Sequence, residues 1–194
     1  MGGDDLMFAY AWLTRADERG VAEIVDLVAT VSASEPFVGL PSKPTADETA
    51  LLRTKLLGGL SSKQTHLLAV RDAEFRTVGC VAMNRPATAN QRHIGELTTG
   101  AVHPDYRSQR MVYGVFVEIV RRCQQVGIEV LRLDVREGVR AERLWRFYGF
   151  EEYGRLADYG RTDGESYTGI YLAQTVDRLK KRVAEREVAH AQQG

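Results

Sequence analysis

Residues 94–135 constrain the fold more than any other part of the chain. Ile94–Val102 reads as a strand, and Pro104 ends it because proline cannot donate to a ladder. A long helix of about Gln109 to Val126 follows. Val112, Val115, Phe116, Ile119, Val120 and Cys123 fall on one side of it, and Gly127 is its stop. Val130–Val135 is then a short apolar strand. A one-sided helix set between two strands must bury its stripe on a sheet.

The rest of the chain extends this pattern. Residues 8–14 read as a first strand, and a helix runs from about Ala16 to Val31 with Val21, Ile24, Val25, Val28 and Val31 at helical spacing. Thr14 with Asp17, and Thr45 with Glu48, have capping-box spacing. The second pair opens a helix of roughly 46–60, ended by Gly58-Gly59. Residues 32–45 hold three of the five prolines and read as a loop. Strands are expected at 66–70 and 78–83, joined by a turn at 71–77, with a polar loop at 84–92. After residue 135 come a short helix (139–148), strands at about 150–157 and 167–173, and a charged helix over 176–190. The order is β-α-α-β-β-β-α-β-α-β-β, an α+β domain with a mixed sheet.

The chain has 194 residues, 44% of them hydrophobic and 27% charged, enough for one sizeable core. The formal net charge is zero, which argues against nucleic-acid and anionic-membrane partners. Apolar runs fall short of the roughly 20 residues of a membrane span. Asp4 and Asp5 stand where a signal peptide carries Lys or Arg, so the expected location is cytoplasmic. Cys80 and Cys123 each sit in an apolar run and read as buried hydrophobes. His66, His93, His103 and His190 have no metal-ligand spacing, and no metal is expected.

Between Glu96 and Val112 the strand passes through an arginine-bearing turn into the long helix. Free N–H groups and the positive helix end there, beside Arg107 and Arg110, suit a phosphate or pyrophosphate. The competing reading is an ordinary turn with solvated arginines. Downstream, Leu131-Arg-Leu-Asp-Val135 is followed by Ala141-Glu-Arg-Leu-Trp-Arg-Phe-Tyr-Gly-Phe150.

Together these segments resemble the GNAT acyltransferase superfamily, which transfers acetyl groups from acetyl-CoA. The family pattern V-x-P-x-x-R-x-x-G-x-G/A lies over Val102, Pro104, Arg107, Arg110 and Val112. Its N-x-x-A-x-x-L-Y-x-x-x-G-F pattern lies over Gly138, Ala141, Leu144, Trp145, Gly149 and Phe150. The resemblance extends over roughly residues 8–174. It implies a GNAT-like α+β fold with a central, mostly antiparallel mixed sheet flanked by helices. A narrower resemblance, to acetyltransferases of the tabtoxin-resistance type, rests on three features. These are the spacing of Glu96 to Val102, Leu-Asp-Val at 133–135, and Gly154-Arg-Leu-Ala-Asp-Tyr159 followed by Asp163-Gly-Glu165. In that group the counterparts of Glu96 and Asp134 are catalytic, and the substrates are amino-acid-like molecules with a free amine.

The resemblance implies acetyl-CoA as co-substrate, held by Ala101, Val102, His103, Arg107, Ser108, Gln109, Arg110, Met111, Val112 and Gly138. The sequence departs from the family at four of the motif positions. Arg110 and Val112 replace the two loop glycines, Gly138 replaces an asparagine, and Trp145 stands where a tyrosine usually protonates the leaving thiolate. Arg110 either supplies compensating charge or fills the phosphate site.

Acyl transfer to an amine needs a base, donors for the oxyanion and an acid for the thiolate. Strand parity puts Glu96 with Ile94, Thr98 and Val102, where a partly buried carboxylate suits a general base. Its alternative is an ion pair with Arg92 or Arg132. Asp134 interrupts an apolar alternation and either orients the amine or serves as a cap or ion-pair group. Tyr148, one helical turn from Trp145, is the local substitute for the acid or a core tyrosine. Trp145 walls the acceptor pocket or packs; Tyr159 contacts substrate or lies on the surface.

The expected organisation is an acyltransferase domain over 1–175 and a charged helical extension over 176–194. That helix is either a solvated cover of the sheet edge or a homodimer contact. The expected activity is N-acetyl transfer from acetyl-CoA to a primary amine of a small, amino-acid-like molecule. The alternatives are an enzyme of the same fold that uses no acetyl-CoA, in secondary metabolism, and a non-catalytic binding module.

Overall fold

The computed structural model describes residues 8–14, 17–35, 40–162 and 164–191. The readings made on residues 1–7, Ala16, 36–39, Asp163 and 192–194, and on the side chains of Gln109 and His190, lie outside the described residues. The elements are β1 (Ala9–Trp12), α1 (Glu18–Ser32), α2 (Ala46–Ser61), β2 (Thr65–Arg71), β3 (Thr77–Asn84), β4 (Ile94–Val102), α3 (Gln109–Val126), β5 (Val130–Arg136), α4 (Arg140–Phe147), β6 (Glu151–Thr162), β7 (Glu165–Thr175) and α5 (Val176–Ala191). The order is the expected one. The strands form a mixed seven-stranded sheet, β1-β2-β3-β4-β5-β7-β6, antiparallel except for the parallel β4–β5 pair.

The chain divides into two compact units, residues 1–84 with 99–115, and 85–98 with 116–194. In the first, Val21, Ile24, Val25, Val28 and Val31 of α1 are all buried in one cluster with Leu52, Leu56 and Leu60 of α2. Leu67 and Ala69 of β2, Cys80 and Ala82 of β3, and Ala101 of β4 complete it. A second cluster joins Val70, Val78 and Met111, with Tyr10 and Val102 against it. The Tyr10 hydroxyl donates to the Met111 carbonyl at 3.0 Å.

Four local expectations need correction. The cap of α1 is Asp17, whose side chain accepts from the Gly20 N–H at 2.8 Å; Thr14 supplies its carbonyl to the Asp17 N–H. At α2 the capping box of Thr45 and Glu48 is present, but the helix runs through Gly58-Gly59. Gly59 serves packing instead of termination, because a Cβ there would stand 2.1 Å from Thr65 Oγ1. In α3 the buried stripe begins at Met111, fully enclosed, and Val112 is only half-buried. Strands β6 and β7 are each longer than expected, β6 reaching Thr162 and β7 beginning at Glu165.

In the second unit α3 contributes Phe116, Ile119, Val120 and Cys123 to the interior. Burial pushes the thiols of Cys80 and Cys123 up to about 12, so both are inert. Helix α5 buries Val176, Leu179 and Val183. Its Arg178 pairs with Glu151 at the start of β6, and Arg186 lies 3.6 Å over the Phe147 ring. No helix among the described residues is long and apolar enough to cross a membrane.

Candidate active site

The turn that carries the phosphate expectation belongs to the first unit. Pro104–Tyr106 form a 3₁₀ turn anchored by the hydroxyl of Tyr106, which donates to Asp72 Oδ2 at 2.8 Å. Asp72 is itself enclosed, and it accepts from the Arg76 N–H at 2.9 Å and from Arg76 Nε at 2.7 Å. Burial alone would raise the Asp72 pKa, but the Arg76 and Tyr106 hydrogen bonds outweigh it and hold the carboxyl below its usual range.

Within this turn several expected ligands already have protein partners. The His103 N–H donates to the Val78 carbonyl at 2.9 Å, so it is not an oxyanion donor. The Ala101 N–H lies against the Cys80 sulfur. Strand alternation turns the Val102 N–H away from β3, and Val102 thereby becomes the backbone donor suited to a carbonyl. Arg107 pairs with Glu35 at 2.7 Å and reaches the Val102 carbonyl through Nε at 3.4 Å. Ser108 caps α3, its Oγ accepting from the Met111 N–H at 3.2 Å, while the Val112 N–H turns back to the Ser108 carbonyl at 3.3 Å. The Arg110 side chain is exposed. Gly138 belongs to the second unit and has φ +81; it leads into α4, its N–H held by Glu142 at 2.7 Å.

The carboxylates belong to the second unit. β4 and β5 pair only over Ile94–Glu96, and Glu96 stands opposite Arg132. The Glu96 side chain is 39% exposed, with Arg132 Nε 3.8 Å from Oε1, so Arg132 is the neighbouring cation of the two expected. Thr99, three residues on, takes φ +51, which breaks the alternation that had linked Glu96 to Val102.

β5 alternates cleanly. Leu131, Leu133 and Val135 are buried; Arg132, Asp134 and Arg136 share the half-buried face. Asp134 accepts a hydrogen bond from the hydroxyl of Tyr159. Strand rise and strand spacing put the Cα atoms of Glu96 and Asp134 roughly 8 Å apart on this face. Tyr159 sits within β6, whose register against β7 shifts between Leu156 and Gly160, with Asp158 at φ +53. That bulge turns its ring over Gly169, where a Cβ would come within 2.3 Å of the ring. Burial first, and then the bond to Asp134, raise the Tyr159 pKa.

The other two aromatic candidates pack. Tyr148 is 4% exposed and stacks face to face on Phe116, ring centroids 3.5 Å apart. Trp145 meets Phe116 and Phe150 edge-on at 5.3 and 5.2 Å. Both therefore share the helix face expected of them, and that face is packed on Phe116. Sequence reasoning passed over Arg136, Tyr167 and Tyr171. The Tyr167-x-Gly169-x-Tyr171 parity could have placed them on one strand face with Asp134.

No family model matches the sequence, and no curated protein matches it. Solved structures do resemble the fold. An acetyltransferase of the GNAT family from Streptococcus pneumoniae is 19% identical, with 87% of this chain and 99% of that one covered and a TM-score of 0.69. The yncA protein from Salmonella typhimurium, solved with its cofactor acetyl-CoA, is 12% identical over 88% and 94% of the two chains, at a TM-score of 0.69. Spermidine N-acetyltransferase from Vibrio cholerae, in complex with CoA and spermine, is 16% identical over 89% and 98%, at a TM-score of 0.67. These identities carry the architecture and no more. The chain has the fold of the GNAT-family acetyltransferases.

Proposed function

We propose that the chain transfers an acetyl group from acetyl-CoA to the primary amine of a small, amino-acid-like molecule, as enzymes of the tabtoxin-resistance type do. The observation that carries this reading is the placement of Glu96 and Asp134 on one sheet face, with Tyr159 fixing Asp134. Glu96, partly exposed beside Arg132, takes the proton of the attacking amine, directly or through water. Asp134 orients that amine. Bound acetyl-CoA supplies an activated thioester: the C–N bond forms as its C–S bond breaks, and the amine proton passes by way of Glu96 to the departing thiolate.

The residues of the first unit fit acetyl-CoA in part. Val102 offers an N–H for the thioester oxygen, and the positive N-terminal end of α3 suits a pyrophosphate. Against this, Glu35 holds Arg107 and the Ser108 hydroxyl takes one helix donor. Those two contacts favour the second reading, a reaction on the same fold in which Glu96 and Asp134 act without a thioester.

Thermal unfolding with and without acetyl-CoA separates the two. A ligand at 100 times its Kd adds about 2.7 kcal/mol, a rise of about 5–10 °C for a chain of this size. A shift of that size supports acetyl transfer. An unchanged transition at millimolar acetyl-CoA supports the second reading.

A further inference from the structure

The β6–β7 hairpin carries a second tyrosine arranged like the first. The guanidinium carbon of Arg136 lies 4.8 Å from the centre of the Tyr167 ring. As Tyr159 lies over Gly169, so Tyr167 lies over Gly160, where a Cβ would stand 2.3 Å from the Tyr167 hydroxyl. β6 spends four residues from Leu156 to Gly160 while β7 spends two, and this mismatch sets both rings against β5. One tyrosine therefore holds an anion, Asp134, and the other supports a cation, Arg136, two residues along the same strand face.

We propose that Asp134 and Arg136 form a two-point receptor for a zwitterion, the ammonium of an α-amino acid resting on Asp134 and its carboxylate on Arg136. The chemistry on each side matches. Tyr159 donates to Oδ2 of Asp134, and an ionised carboxylate has about four lone-pair sites with which to accept from an ammonium as well. A guanidinium stacked on a ring keeps its N–H edge in plane for a carboxylate, the geometry that Arg supplies and Lys does not. The spacing matches too. The two charged groups of an α-amino acid are about 3 Å apart, and a hydrogen bond at each end adds about 3 Å. Side chains from Cα atoms roughly 7 Å apart span that distance. The inference rests on the reading of Asp134 as the amine-orienting group.

Calorimetric or NMR titration without acetyl-CoA tests it, using L-leucine, L-leucinamide and isocaproate as probes. Leucine is expected to bind at least about tenfold more tightly than leucinamide or isocaproate, the worth of one charge-assisted hydrogen bond. Arg136→Gln removes the margin over leucinamide and keeps the margin over isocaproate; Asp134→Asn does the reverse. Circular dichroism and thermal unfolding confirm that both variants fold. Equal binding of leucine and leucinamide, equal weakening of both by Arg136→Gln, or no binding of any probe at millimolar concentration overturns the proposal. Zwitterion binding with no acetyl transfer to any amine would remove the acyl-transfer reading and leave the receptor. Acetylation of leucinamide as fast as leucine would do the opposite.

Discussion

The hydroxyl of Tyr159 donates to the carboxylate of Asp134 across 25 residues of sequence, from a strand bulge that lays the Tyr159 ring over Gly169. A bulge that re-aims one side chain onto a carboxylate is a feature strands carry beside active sites. Tyr159→Phe keeps the ring and removes the hydrogen bond. It should lower kcat/KM for the amine about ten- to hundredfold and leave the KM for acetyl-CoA unchanged. Steady-state kinetics with each substrate varied in turn distinguishes this from a general loss of structure, which would raise both KM values. Because burial and the bond to Asp134 raise the phenol pKa, the wild-type pH profile should show no Tyr159 ionisation up to its ordinary value of about 10.

The bulge also predicts a stability effect. A methyl group at Gly169 would meet the Tyr159 ring at 2.3 Å. Gly169→Ala should cost about 1–3 kcal/mol in urea unfolding. Gly169→Ala in a Tyr159→Ala background should lose most of that cost, since the clashing ring is gone. A penalty that persists in the double variant would place the strain elsewhere in the hairpin.

Glu96 is assigned the proton. Glu96→Gln preserves shape and hydrogen bonding but not basicity, and turnover should fall about 10²–10⁴-fold with the melting temperature unchanged. An unaltered rate removes Glu96 from the mechanism.

Asp72 makes a prediction independent of catalysis. Its carboxylate is enclosed and bonded to Arg76 and Tyr106, so Asp72→Ala should destabilise the fold by about 2–4 kcal/mol through the donors left unpaired. Its folded-state pKa lies below the unfolded value, so its contribution is complete above about pH 4. That contribution is lost as pH falls through the lower folded value. Urea unfolding of wild type and Asp72→Ala between pH 7 and pH 2 should show the gap between them closing on the acid side.

The order of elements was legible because each long element carries its own periodicity. α1 buries the five valines and isoleucines that its spacing marks, and α3 begins and ends where its pattern and Gly127 place it. The β6–β7 hairpin was not legible in full. Its glycines, together with Asp158 and Arg161, have the composition of a loop, and the partner strand shows that Gly160 and Gly169 make room for Tyr167 and Tyr159. Gly58-Gly59 misled in the same way, since Gly59 is required by Thr65 and not by a helix end. The alternation of β5 was legible, and it places Asp134 on the half-buried face with Arg132 and Arg136. The pairing of Arg107 with Glu35, 72 positions earlier, and of Asp134 with Tyr159 depends on tertiary approach that no local pattern encodes.

The central claim is acetyl transfer, and the direct measurement is mass spectrometry of a panel of amino acids incubated with the protein and isotopically labelled acetyl-CoA. The account predicts labelled N-acetyl product on at least one α-amino acid, released together with free CoA, and its loss in Glu96→Gln. Acetyl-CoA that remains intact with every amine offered, at the rate seen in buffer alone, would contradict it.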